Sequence, residues 1–233
     1  MTESDRTIEL VALDMAGTTI DDGGAVYEAL RGAVEDGGAT VAQADLQVWM
    51  GTDKVEAITN LLRLGGVEPT TERVDSGFAR FRERLQDAYS STPPTAIDGV
   101  PAALSELRGR GIKVALTTGF DDAVALPLLA ALGWKIGDGA DAVVDAVVTT
   151  SDVAAGRPAP YMIHRAMERT GVRDVRRVLA AGDTAVDVQA ATNAGAVSVG
   201  VLTGKADPQV LADAGADHVL PGVVDIPGLL AMS

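Results

Sequence analysis

Five side chains suited to phosphoryl chemistry stand at the ends of short apolar runs: Asp14, Thr118, Arg157, Asp183 and Asp187. Their settings are Asp14-Met-Ala-Gly-Thr-Thr19, Thr117-Thr-Gly119, Gly156-Arg-Pro158 and Gly182-Asp-Thr-Ala-Val-Asp187. A carboxylate can attack phosphorus and form an acyl phosphate, which splits one hard step into two. Attack by an anion on an anionic phosphoryl group needs charge screening. Asp14 and Asp183 together can hold Mg²⁺, a hard cation that prefers oxygen ligands, between nucleophile and phosphate. Asp187, one helical turn beyond Asp183, can hold the metal's water ligands. Thr118 and the Gly119 N–H lie at a strand-to-helix turn, a natural anion seat. Arg157 can clamp phosphate with its fork of donors.

Each residue alone has a plainer reading. An Asp that ends a strand is more often a helix cap or a turn residue. Gly-Asp-Thr is a common turn, Asp187 can be a surface acid on an amphipathic helix, and Arg157 can be a solvated loop residue. The order of the set, each member after the right strand, favours a site.

The elements that must position these residues read as an alternation. Strands are expected at Ile8–Leu13, Ile112–Leu116, Ala146–Val148, Val178–Ala181, Ala196–Val201 and, weakly, His218–Leu220. Helices are expected at Pro101–Arg110, Asp122–Leu132, Pro158–Thr170, Ala185–Ala194, Pro208–Ala214 and Val224–Met232. Pro101 and Pro158 suit a first helical turn, and Gly111, Gly133, Gly171 and Gly195 sit just past helix ends. Such alternation predicts a parallel sheet with helices on both faces. Ligands of such sheets bind at the carboxyl ends of the strands, where the five residues gather. From Val26 to Ser90 the pattern is helical only (Val26–Glu35, Asp45–Val48, Asp53–Leu64, Thr71–Tyr89), and Ser90–Thr95 reads as a Pro-rich linker. The expected fold is therefore α/β: a Rossmann-like core from residues 1–19 and 96–233, with an inserted all-helical cap from residues 20–95.

Composition narrows the partners. The formal charge is −14 over 233 residues, so nucleic acid and anionic membranes are repelled. A phosphorylated substrate is repelled too, so its site must carry local positive charge. There are no cysteines, which excludes disulfides, thiol nucleophiles and Cys-rich zinc sites. His164 and His218 are too few for a histidine-based metal site. The charged start MTESDRTIEL lacks a signal-peptide apolar segment, and no run approaches the ~18 apolar residues of a membrane span. A soluble cytoplasmic protein is the expectation.

Asp-x-x-Gly-Thr, strand-Thr-Gly, a basic residue and Gly-Asp-x-x-x-Asp together resemble the haloacid dehalogenase superfamily, whose members carry helical caps of this placement. Two details resemble its phosphonatase branch. Ala16 stands where most phosphatases of the superfamily have a general acid, and Arg157, within Ala-Gly-Arg-Pro, stands where they have lysine. A third lies in the cap. Phosphonatases use a lysine in a Met-Gly-x-x-Lys context to form an imine with the substrate aldehyde, and this chain has Met50-Gly-Thr-Asp-Lys54. The imine has a physical purpose: C–P cleavage leaves a carbanion, and a protonated imine beside it accepts the electrons. The chain contains only four lysines, so a match at this spot carries weight.

The resemblance implies Asp14, Lys54, Thr118 and Arg157 as catalytic residues. It implies Met15, Ala16, Met50, Gly51 and Gly119 around the substrate and phosphate. It implies Mg²⁺ on the Asp14 and Asp183 carboxylates and the Ala16 carbonyl, with Asp187 in support. A small phosphonate or phosphate is the expected substrate, and a homodimer through the cap is carried over. The chain departs from the branch at Gly24, Ala57 and Phe120, where phosphonatases have Cys, His and Tyr for proton handling.

Two activities therefore stay open. One is C–P hydrolysis of a carbonyl phosphonate such as phosphonoacetaldehyde through a Lys54 imine; the other is hydrolysis of a small phosphate monoester. Ala16 counts against the second, and the departures count against the first. An idle binding protein and a dehalogenase are weaker alternatives.

Overall fold

The computed structural model describes residues 7–231. The charged start of the chain and the end of the helix expected to reach Met232 lie partly outside the described residues.

The chain divides into two compact units, residues 1–20 with 96–233, and residues 21–95. The first holds six parallel strands: β1 (Leu10–Asp14), β4 (Lys113–Thr117), β5 (Ala146–Val148), β6 (Val178–Gly182), β7 (Val197–Val201) and β8 (His218–Leu220). Their order is β5-β4-β1-β6-β7-β8. All five residues of β1 are buried, as are all five of β6. Strands buried on both faces read as unbroken apolar runs, which is why the sequence shows runs and not alternation here. One face buries Leu10, Ala12, Ala180 and Val178 against Met162, Ile163, Ala190 and Ala191. These last four lie on α7 (Tyr161–Thr170) and α8 (Ala185–Ala194). The alanines on both sides are small enough to let the helices lie close to the sheet. Val11, Leu13, Val114 and Leu116 alternate to the opposite face and are equally buried. There α5 (Val100–Gly109) packs on β4. The unit is completed by α6 (Asp122–Ala131), α9 (Pro208–Asp213) and α10 (Ile226–Leu229).

The second unit is helical: α1 (Ala25–Glu35), α2 (Gln43–Val48), α3 (Lys54–Leu64) and α4 (Thr71–Ser91). Leu30, Val34, Ile58, Leu61, Phe81 and Leu85 form its interior. Gly77 lets α4 meet α3, because a Cβ there would stand 2.9 Å from Ile58 Cγ2. The Arg84 guanidinium donates twice to Asp36 Oδ2, at 3.0 and 2.7 Å, joining α4 to the end of α1.

Three expectations need correction. The helix expected at Val224–Met232 is a 3₁₀ turn, Val223–Asp225, followed by the short α10, which ends at Leu229. The helix expected from Pro158 begins at Tyr161; Pro158 follows a cis peptide bond and lies in the preceding loop. The expected linker is shorter, since α4 runs on to Ser91, where serine hydroxyls donate back to carbonyls one turn earlier. The chain's two passages between the units, β2 (Ile20–Asp21) and β3 (Thr95–Ala96), pair as a two-stranded ladder. Two-residue strands are too short to leave a periodic signal. Among the described residues no helix is long and apolar enough to cross a membrane.

Candidate active site

Sheet register brings the core residues together. Asp14 pairs with Thr117 across β1 and β4, and Leu13 pairs with Ala181 across β1 and β6. β6 ends at the next residue, Gly182, and Asp183 follows it, so Asp14 lies between two strand ends. The strand order also turns outward in both directions from this centre, the kind of switch point at which α/β sheets bind ligands.

Beyond Asp14 the chain folds back on itself. The N–H groups of Thr18, Thr19 and Ile20 all donate to the Met15 carbonyl, at 3.2, 2.8 and 2.8 Å. Gly17 supplies the turn with φ +87. The side chain of Met15 is fully buried, so only its backbone is offered at this edge. The Thr19 hydroxyl donates to the Asp14 carbonyl at 2.9 Å, and the Thr18 hydroxyl donates to Asp183 Oδ1 at 3.0 Å. Neither threonine was singled out as a site residue from the sequence. The run of hydroxyls after Asp14-Met-Ala-Gly was the available signal.

Asp14, Asp183 and Asp187 are all buried, and each offers a carboxylate oxygen within 4.8 Å of the others. Burial first, and then the negative charge of Asp14, pushes the Asp183 carboxyl up to about 7; the Thr18 hydroxyl and Arg157 act against that rise. Asp187 serves two purposes. Its Oδ2 accepts from the Thr184 N–H at 3.1 Å and from the Thr184 hydroxyl, closing the first turn of α8. Its Oδ1 pairs with Arg157. Gly182 is required beside it, since a Cβ there would overlap the Asp187 side chain.

Arg157 is 3% exposed. Its Nη2 meets Asp14 Oδ1 at 2.7 Å and its Nη1 pairs with Asp187. The arginine expected to clamp phosphate thus bridges two of the three acids. Its Nε is buried and has no hydrogen-bond partner among the described residues. A buried donor left unpaired is costly, and such an atom is where a ligand acceptor belongs.

Thr118 and Gly119 are buried at the end of β4. The Thr118 N–H donates to the Val148 carbonyl at 3.1 Å, and its hydroxyl accepts from the Phe120 N–H at 3.2 Å. Ala16 sits in the loop after β1. The Gly17 N–H donates to the Ile20 carbonyl at 2.8 Å, so the Ala16 carbonyl, trans across the same peptide plane, points the opposite way.

Mg²⁺ fits these donors. They are carboxylate and carbonyl oxygens, and Arg157 is the one side-chain cation that meets the three buried acids among the described residues, beside the hydroxyls of Thr18 and Thr184.

Within the helical unit, Met50 is buried and Gly51 adopts φ +80 just ahead of α3. Lys54 opens α3, is 4% exposed, and its Nζ donates to the Thr52 carbonyl at 3.0 Å. Asp53 caps the helix by accepting from the Glu56 N–H at 3.0 Å, and Glu56 is exposed. Gly24 caps α1 with φ +82, a backbone conformation that L side chains rarely adopt, and Ala57 is fully buried.

Comparison with known proteins agrees with this geometry. Residues 8–195 match the family model of haloacid dehalogenase-like hydrolases. A phosphonoacetaldehyde hydrolase of Lysinibacillus sphaericus is 32% identical over 216 residues, covering 86% of this chain and 77% of that protein. A hydrolase from Pseudomonas syringae superposes with a TM-score of 0.84 at 23% identity, covering 96% of this chain and 98% of its own. A phosphonoacetaldehyde hydrolase like protein from Oleispira antarctica gives 0.80 at 24% identity, covering 97% and 92%. With its parallel sheet, its buried acids at the carboxyl edge and a family match over most of its length, the chain belongs to the haloacid dehalogenase-like hydrolases.

Proposed function

We propose that the protein hydrolyses the C–P bond of a small carbonyl phosphonate, of which phosphonoacetaldehyde is the simplest candidate, through an Asp14 acyl phosphate and a Lys54 imine. The observation that carries the phosphoryl half is the buried, unpaired Arg157 Nε beside Asp14, since a phosphoryl oxygen would supply its missing acceptor. The buried Lys54 behind Met50-Gly51 supports the imine half.

In this reading the neutral Lys54 amine adds to the substrate carbonyl, takes up a proton from solvent and loses water to give a protonated imine, and the proton returns to solvent when that imine is later hydrolysed. Asp14 then attacks phosphorus, and the electrons of the breaking C–P bond pass into the protonated imine to give an enamine. The enamine takes up a proton on carbon. Water hydrolyses the acyl phosphate to inorganic phosphate and the imine to the aldehyde, restoring both side chains. Thr118, the Gly119 N–H and Arg157 hold the phosphoryl oxygens, with the backbone of Met15 and Ala16 at the same edge. Mg²⁺, when bound by Asp14, Asp183 and the Ala16 carbonyl with Asp187 in support, screens nucleophile from phosphoryl group. A cytoplasmic setting completes the proposal.

A phosphate monoester is the second reading, favoured by Gly24, Ala57 and Phe120 in place of the branch's proton-handling residues. Phosphate release from phosphonoacetaldehyde and from a panel of monoesters, with and without Mg²⁺, separates the two. Release from monoesters alone would overturn the C–P assignment.

The metal has a signature apart from activity. Asp183 binds a proton up to about pH 7 in the folded protein, against 3.8 for the ordinary group. Between those values the metal-free fold holds a proton that the unfolded chain has lost. Its contribution to stability is therefore present at low pH and is lost as pH rises through about 7. The thermal midpoint of the metal-free protein is expected to fall across this window, and less steeply in Asp183→Asn. At pH 8, Mg²⁺ is expected to raise the wild-type midpoint but not that of Asp183→Asn. Equal Mg²⁺ shifts in both proteins would rule out Asp183 as a ligand.

A further inference from the structure

The loop after β7, Leu202-Thr203-Gly204-Lys205, was given no role from the sequence, yet it stands against the acid cluster. A Cβ at Gly204 would lie inside the Asp183 carboxylate and only 2.7 Å from Asp183 Cβ, so the whole side chain, not merely its tip, would have to move. On another side, a Cβ at Gly17 would stand 2.7 Å from Asp183 Oδ2. The Asp183 carboxylate is thus confined between two glycine backbones, one from the loop after β1 and one from the loop after β7. The two loops are tied together, since the Thr203 hydroxyl donates to the Gly17 carbonyl at 2.6 Å.

That tie has a further consequence. The Ala16–Gly17 peptide plane is held by the Gly17 N–H on the Ile20 carbonyl. The next plane is held at both ends, by the Thr18 N–H on the Met15 carbonyl and by Thr203 on the Gly17 carbonyl. With both planes held, the direction of the Ala16 carbonyl is set before any ligand arrives. Preset ligands lose less freedom on binding a metal, and the groups that orient ligands tune affinity.

We infer that Thr203 and Gly204 are positioning residues for the metal. Gly204 holds the Asp183 carboxylate in its ligating pose, and Thr203 ties the β7 loop to the backbone that carries Ala16. The inference rests on the reading of Asp14, Asp183 and Ala16 as Mg²⁺ ligands.

The test is calorimetric titration of Mg²⁺ into the full-length metal-free protein as wild type, Gly204→Ala, Thr203→Val and Thr203→Ser. Gly204→Ala is expected to weaken Mg²⁺ binding by about tenfold or more, the range found when groups that orient ligands are removed. Thr203→Val is expected to weaken it less, because its hydrogen bond is exposed, and Thr203→Ser is expected to restore wild-type affinity by keeping the hydroxyl. The Thr203 pair carries the test alone should Gly204→Ala not fold. A merely structural role would lower the metal-free thermal midpoint while leaving Mg²⁺ affinity unchanged, and that result overturns the inference. A wild type that binds no Mg²⁺ overturns the underlying reading and this inference with it. Binding by wild type with equal affinity in the variants overturns this inference only.

Discussion

Asp14→Asn is expected to lower phosphate release by on the order of 10³-fold or more while leaving the fold intact. The carboxylate ends the central strand, level with Thr117, within reach of the oxygens of Asp183 and Asp187, and in contact with Arg157. Asparagine keeps the shape but is a far poorer nucleophile and a weaker metal ligand. The substitution also removes the charge of Asp14 from the acid cluster, and that charge is, after burial, a cause of the raised Asp183 carboxyl. Asp183 is therefore expected to titrate closer to its ordinary value in the variant. A carboxyl NMR titration would show this even though turnover is gone. Arg157 loses one of its two charged partners, so circular dichroism and the thermal midpoint should accompany the assay. Near-wild-type phosphate release from a folded Asp14→Asn protein would remove Asp14 as nucleophile.

For Lys54→Arg the expected result is loss of C–P cleavage with retained fold. Arginine keeps the positive charge but cannot form an imine, so the substitution separates covalent chemistry from charge alone. Lys54 is buried at the first position of α3, a helix that Asp53 caps. Borohydride reduction in the presence of phosphonoacetaldehyde should trap a covalent adduct on the peptide that contains Lys54. The same treatment of Lys54→Arg should give none. Arginine is bulkier, so Lys54→Met serves as a second variant that removes both amine and charge. Full activity of Lys54→Arg on the preferred substrate, with no adduct trapped in the wild type, would hand the assignment to the phosphate-ester reading.

The departure at Gly24 bears on how the protons move. In the structure this position caps α1 at φ +82. A cysteine in that backbone conformation would be strained.

Much of the architecture was legible in the chain because it rests on local signals. Buried runs such as Ile8–Leu13 and Val178–Ala181 marked β1 and β6 to within a residue or two. Gly171 and Gly195 marked helix ends, where both take up left-handed backbone at φ +76 and +80. Residues that end strands of a parallel sheet must meet at one edge, so the grouping of Asp14, Thr118 and Asp183 followed from the order of strands. Other features depend on contacts between distant segments, which leave no periodicity. Nothing near Thr18 in sequence shows that its hydroxyl meets Asp183, 165 residues away. Arg157 was legible as a candidate phosphate donor, but its pairing with both Asp14 and Asp187 follows from the path of the loop ahead of α7. Thr203 and Gly204 belong to none of the motifs that the sequence displays. Only the packing of the β7 loop against the β1 loop gives the missing Cβ of Gly204 a purpose, because steric exclusion acts between neighbours in space.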